Sequence, residues 1–117
     1  MPTRCFLRSK LHRATLTGCD VEYEGSIAID SALLKAADIL PNEQVDVYNL
    51  NNGNRLTTYA IEGNPGEVCL NGAAALLAEP GQRVIICSFT WLDEGEVAGH
   101  TPRVVLLGPD NVIDRTK

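Results

Sequence analysis

No apolar run in this chain approaches the ~20 residues that cross a bilayer as a helix. No cluster of Lys and Arg is long enough to follow a phosphate backbone, and the formal net charge is −5, so neither a membrane nor a nucleic acid is expected as a partner. The four cysteines, Cys5, Cys19, Cys69 and Cys87, contain no CxxC spacing, and His12 and His100 lie far apart in the sequence, which argues against a zinc site. Scattered thiols, with no secretory-type signal expected, suggest a reducing, cytoplasmic setting. Solenoid-period repeats, low-complexity segments and interdomain linkers are also missing. What is present is ordinary for one globular domain spanning residues 1–117: 44% hydrophobic and 21% charged residues.

Patterning places short strands along most of this length. Residues 3–17 alternate imperfectly and read as one long, bent strand, with Cys5, Leu7, Ser9, Leu11 and Arg13 on one face and Phe6, Arg8, Lys10 and His12 on the other. Gly18 is expected to end it, and Val21-Glu22-Tyr23 to begin another extended piece. Ile27-Ala28-Ile29 reads as strand, followed by a helix over 32–38 capped by Asp30 or Ser31. Residues 44–50 and 55–61 alternate on either side of Asn51-Asn52-Gly53-Asn54, the clearest hairpin in the chain. A short strand at 67–70, a helical turn or two in Ala73-Ala74-Ala75-Leu76-Leu77, a buried strand at 83–92 and two final strands at 104–107 and 111–114 complete the reading. Six to eight strands with two small helices predict a mainly β fold, a small closed β-barrel, because closure removes exposed sheet edges.

One stretch invites chemistry. In Tyr23-Glu24-Gly25-Ser26 a hydroxyl stands directly after a glycyl carbonyl, and glycine can bend where other residues cannot. Ser26 could therefore attack its own backbone. Considered singly, every neighbouring candidate also has an ordinary role. Lys10 and Arg55 read as solvated strand charges, His12 as a surface or structural histidine, and Tyr59 as a core aromatic. Asn71-Gly72 reads as a turn, and Cys87, Phe89 and Trp91 as packing.

Taken together the pieces say more. Lys10-Leu11-His12-Arg13, Tyr23-Glu24-Gly25-Ser26, Asn52-Gly53-Asn54-Arg55 running into Thr58-Tyr59-Ala60-Ile61, and Asn71-Gly72-Ala73-Ala74-Ala75 are collinear. In that order and spacing the chain resembles the bacterial aspartate 1-decarboxylases, over about nine-tenths of its length, with the segment from Trp91 onwards less constrained. The resemblance implies a double-psi β-barrel made as an inactive precursor and cut by Ser26 into 1–25 and 26–117. It implies a pyruvoyl group derived from Ser26, with neither metal nor pyridoxal phosphate. It also implies a homotetramer with sites between subunits, and leaves room for a maturation factor.

The implied substrate is L-aspartate, decarboxylated to β-alanine for pantothenate synthesis. The ketone would condense with the substrate amine and accept the electrons left when carbon dioxide departs. Thr58 matches the residue that holds the Gly25 carbonyl, and Tyr59 the proton donor. Lys10 and Arg55 are the candidate carboxylate binders, Arg55 being suited to bidentate contact. Asn71, Gly72, Ala73 and Ala74 are candidates for holding the substrate. Tyr48 departs from the family pattern, in which tryptophan is common. On a regular strand Arg55 and Tyr59 share a face that Thr58 does not, so Thr58 joins them only through a bulge or a second chain. Two rival readings, a non-catalytic regulatory scaffold and a recognition module, have no use for this combination of residues.

Overall fold

The computed structural model describes residues 2–117 and is mainly β. Nine strands follow in order: β1 (Thr3–Thr15), β2 (Gly18–Asp20), β3 (Ser26–Asp30), β4 (Gln44–Asn49), β5 (Arg55–Gly63), β6 (Val68–Asn71), β7 (Arg83–Asp93), β8 (Arg103–Leu107) and β9 (Ile113–Thr116). Helix α1 (Ser31–Ala37) follows β3, α2 (Glu94–Val97) follows β7, and 3₁₀ turns occupy Gly72–Leu77 and Pro109–Asn111.

The strands form one sheet in the order β2-β6-β3-β5-β4-β7-β1-β8-β9. No ladder joins β2 to β9 among the described residues. The two halves of the sheet nevertheless curl together into a barrel-like shape. Between β1 and β2, Leu16 donates its N–H to Gln82 and Thr17 donates to Val68. The buried Asn111 side chain donates to the carbonyls of Thr15 and Gly66 and accepts from the Thr15 N–H at 2.7 Å. Inside lie aliphatic residues contributed by alternate positions, including Leu11, Ile27, Ile29, Val45, Val47, Val68, Leu70, Val84, Ile86 and Val105. Each stabilises the fold by roughly 1.5–3 kcal/mol relative to exposure.

The long bent strand is present, and its bend has a cause. The β1–β7 register shifts between Leu7 and Ser9 and again between His12 and Ala14. Arg13 takes φ 68° at the second shift. The extra residue turns Ala14, not Arg13, into the core, which corrects the simple alternation expected from the sequence. An unpaired guanidinium inside would cost far more than the bulge.

Nine strands form where six to eight were expected, the last at Ile113–Thr116 and not 111–114 because Pro109–Asn111 is a 3₁₀ turn, and two further boundaries differ. Gly18 opens β2 instead of ending a strand, and residues 21–23 form a turn, with the Asp20 carboxylate accepting from the Glu22 N–H at 3.1 Å. On β7 only the first half is buried, so Phe89 and Trp91 are 40% and 67% exposed and do not serve as core packing.

Helix α1 starts as expected. Asp30 caps it by accepting from Ala32 N–H at 2.8 Å, and Asp38 ends it in the left-handed conformation. The helix packs Leu33, Leu34 and Ala37 against the core, and its capping residue Asp30 also accepts from Gly66 N–H.

Candidate active site

Ser26 is the first residue of β3, where it pairs with Asn71 on the antiparallel strand β6. Paired residues share a face, so the Asn71 amide reaches the serine: Nδ2 donates to Ser26 Oγ at 3.0 Å. The Ser26 hydroxyl in turn donates to the Glu24 carbonyl at 3.2 Å. This contact turns the hydroxyl back toward the chain that precedes it. The side chain is only 1% exposed, and bulk water has little access to the nucleophile.

The sequence singled out Gly25 for its freedom to bend. In the structure the left-handed glycine beside the serine is Gly72, with φ +72°, and Gly25 does not occupy that region. A Cβ on Gly72 would sit 2.6 Å from Gly25 Cα and 2.9 Å from Gly25 N, whereas one on Gly25 would meet nothing within 4 Å. Gly72 is thus the floor against which the Gly25 peptide lies. Ala73 is exposed and Ala74 half-buried in the 3₁₀ turn that follows.

Strand β5 passes beside β3 in parallel, the register beginning at Ile27 with Ala60. Its pairing with β4 is regular, Tyr59 opposite Gln44, Thr58 opposite Val45 and Arg55 opposite Tyr48. With no bulge, Tyr59 and Arg55 share the outer face and Thr58 projects to the other side, beside the buried Val45. The Arg55 guanidinium stacks on the Tyr48 ring, 4.4 Å from its centroid, which leaves its N–H edge open to a planar anion. Asp46 accepts from Thr57 Oγ1 at 2.7 Å and from the Tyr48 hydroxyl at 3.4 Å. Burial, with the Asp46 charge next, pushes the Tyr48 phenol above its ordinary range.

Lys10 belongs to the same face but not to the same place. It pairs with Cys87 of β7, and Cys87 pairs with Asp46 of β4, which faces Thr57 of β5. Four strand spacings, about 19 Å along the sheet, separate β1 from β3. Gly25, Ser26, Asn71 and Gly72 thus lie together with Tyr59 on the adjacent strand. The two cations of that face are apart from each other: Arg55, on Tyr48, lies four residues along β5 from Tyr59, and Lys10 stands three strands from Arg55.

His12 follows Lys10 on that cationic face. Its Nδ1 is buried without a hydrogen-bond partner, and burial first, then Lys10, Arg13 and Lys117, hold its pKa below the usual histidine range. Among the described residues no group of three or more His, Cys, Asp or Glu converges as metal ligands would.

Asp46, Thr57 and Cys69 were not singled out from the sequence. The first two were within reach: the Asn-Gly turn sets the hairpin register, and that register puts Asp46 opposite Thr57. Cys69 had no local signal.

The serine's surroundings fit its conversion to a prosthetic group, since it is buried, carries two polar partners and adjoins a glycine floor. The sequence model of the family described as aspartate decarboxylase matches residues 2–114, so the likeness continues well past Trp91. A protein named aspartate 1-decarboxylase from Methylibium petroleiphilum is 52% identical over 116 residues, covering 97% of each chain. One of the same name from Syntrophobacter fumaroxidans is 53% identical over 110 residues, covering 92% of this chain and 89% of its own. Another, from Ralstonia nicotianae, is 50% identical over 116 residues, again covering 97% of each. With matches of this extent on a fold of the expected class, the chain belongs to the aspartate decarboxylase family.

Proposed function

We propose that this chain decarboxylates L-aspartate to β-alanine and carbon dioxide, after Ser26 has cut the Gly25–Ser26 peptide and become a pyruvoyl group. The observation that carries the reading is the state of Ser26: a buried hydroxyl directly after Gly25, held between the Asn71 amide and the Glu24 carbonyl.

Attack by Ser26 Oγ on the Gly25 carbonyl carbon closes a five-membered ring through Cβ, Cα and N, so the nucleophile is already tethered. The Oγ–C bond forms, the C–N bond breaks, and the hydroxyl proton passes to the nitrogen, leaving an ester. A donor to the oxyanion lowers this barrier, the role assigned to Thr58. Removal of the Ser26 Cα proton with loss of the Gly25 carboxylate then frees residues 1–25. Water replaces the nitrogen as ammonia, and residues 26–117 begin with the ketone. Once formed, that group supplies the sink for the electron pair left by the departing carboxylate.

The other residues bind and transfer protons. Arg55, stacked on Tyr48, is suited to grip one carboxylate with two parallel N–H donors, and Lys10 provides a second positive charge. These cations matter because the chain carries a net charge of −5 and would otherwise repel a dianionic side of the substrate. Tyr59, beside the start of β3, is the proton donor to the carbanion. Asn71, at the end of β6, and Gly72, Ala73 and Ala74 in the turn after it are the candidates for holding the substrate.

The distance of Lys10 from Ser26 within one copy supports an oligomer, a homotetramer in this reading, in which Lys10 of one copy meets the Ser26 region of another. Exposed Phe89, Trp91 and Leu76 supply apolar surface for such contacts. It also offers Thr58 a route to the Gly25 carbonyl that a single regular β5 does not.

Intact-mass measurement tests the first step. The expected species are residues 1–25 and a 26–117 fragment lighter by one ammonia than a serine-started chain, together with β-alanine formed from aspartate. Ser26→Ala should keep its full mass and form no β-alanine. Cutting only after addition of cell extract would reveal a maturation factor. An intact chain after prolonged incubation both alone and with extract would refute self-cleavage. A fully active monomer in size-exclusion chromatography would refute the shared site.

A further inference from the structure

Asn71 does not choose its own orientation. Its amide has one donating and one accepting end of nearly equal size, and only Nδ2 facing Ser26 gives the observed hydrogen bond to Oγ. Turned over, Oδ1 would accept from the serine and draw the hydroxyl hydrogen away from the Glu24 carbonyl. The group that meets the other end is the Cys69 thiol, whose Sγ lies 3.4 Å from Asn71 Oδ1 and donates to it. The alternative acceptor for that thiol, the Leu70 carbonyl, is farther at 3.9 Å.

Cys69 and Asn71 are two residues apart on β6 and so share its outer face. The thiol is held between small neighbours. Ala28 is its partner on β3, and Gly18 its partner on β2, where a Cβ would come within 3.3 Å of Sγ.

We propose that Cys69 is a positioning residue for the cleavage reaction: its thiol fixes the Asn71 amide so that Nδ2 faces Ser26 and the serine hydroxyl stays turned toward Glu24. The inference rests on the self-cleavage reading above. Only the neutral thiol can serve, because a thiolate accepts and would face Nδ2 instead, reversing the amide. The surroundings favour the neutral form. Burial raises the thiol's pKa first, followed by the charges of Glu67, Cys19 and Asp20, against a smaller lowering by a backbone hydrogen bond at Asp20. Glu62 of β5 and the Tyr23 phenol also line the cavity of about 260 Å³ onto which Cys69 and Asn71 open, while β3 contributes only Ala28 to it, so the charged groups around the thiol are all acidic.

The test is the rate at which purified, unprocessed chain sheds residues 1–25, followed by intact mass. Cys69→Ala should cut about three- to tenfold more slowly than wild type, and Cys69→Ser, which keeps an O–H donor, at close to the wild-type rate. Cys69→Ala should have no further effect when added to Asn71→Ala, since the thiol acts through that amide. The ratio of wild-type to Cys69→Ser rates should fall as pH rises beyond the thiol's raised pKa. Melting temperatures measured in a Ser26→Ala background would separate slowed chemistry from a loosened fold.

Equal rates for wild type and Cys69→Ala, a Cys69→Ser variant as slow as Cys69→Ala, or full additivity with Asn71→Ala would each overturn the inference while leaving self-cleavage intact. Wild-type chain that never sheds its first 25 residues would overturn both.

Discussion

Replacing Gly72 with alanine separates two things a glycine can provide, and the site depends on both. Gly72 has φ +72°, and left-handed backbone costs an L-residue roughly 1–2 kcal/mol. Its new Cβ would also lie 2.6 Å from Gly25 Cα and 2.9 Å from Gly25 N. Both contacts are backbone atoms, so no side chain can swing aside, and overpacking of this kind typically adds about 1–3 kcal/mol. The expected loss is therefore about 2–5 kcal/mol, out of the 5–15 kcal/mol typical of a native domain.

Gly53 supplies the control. Its φ is +77°, yet a Cβ there would meet nothing within 4 Å, so Gly53→Ala should cost only the backbone term of about 1–2 kcal/mol. Chemical denaturation of both variants in a Ser26→Ala background, at one protein concentration, reads the stability of a single uncut species. In chains that keep Ser26, Gly72→Ala should displace the Gly25 peptide and slow cutting at least tenfold, while Gly53→Ala should cut normally. Equal stability losses for the two variants, or normal cutting by Gly72→Ala, would show that Gly72 is not the floor of the scissile peptide.

Three further outcomes are expected. Tyr59→Phe should still shed residues 1–25 yet lose β-alanine formation, at least a hundredfold by product assay, because proton donation rather than processing is its task; unchanged turnover would remove Tyr59 from the reaction. Arg55→Lys keeps the charge but loses the paired donors and much of the stacking on Tyr48, so KM for aspartate should rise about tenfold with cutting unaffected. His12 has a folded pKa below its unfolded value of 6.5, so the unfolded chain binds the proton more readily. Its contribution to stability should be present above pH 6.5 and be lost as pH falls through the lower folded pKa. Denaturation of His12→Gln between pH 7 and 5 should show a smaller acid loss than wild type.

Much of this architecture could be read directly from local patterning. The Asn-Gly turn, the helix after Asp30 and the alternation of Leu11, Val45, Val47 and Ile86 are consequences of short-range sterics and of which face must be dry. The bulge at Arg13 was not placed from the sequence: the alternation over residues 3–17 is imperfect, but its break at Arg13 does not say that the strand shifts there. Only the cost of burying that charge against β7 shows that the strand must shift. Phe89 and Trp91 looked like core for the converse reason: composition does not say which half of a strand has a neighbour above it.

The sequence by itself determined the chemistry on offer: a serine after a glycine, a phenol and a guanidinium four residues apart on one strand, and the motif order shared with aspartate decarboxylases. Only the tertiary structure decided who touches whom. It put Asn71, forty-five residues away, on Ser26 Oγ, put the Cys69 thiol behind that amide, and made Gly72 rather than Gly25 the residue with left-handed backbone. It also placed Lys10 four strands from Ser26 within one copy. Such pairings follow from strand order and register across the whole sheet, and those are set by burying every aliphatic face at once, which no local stretch of residues encodes.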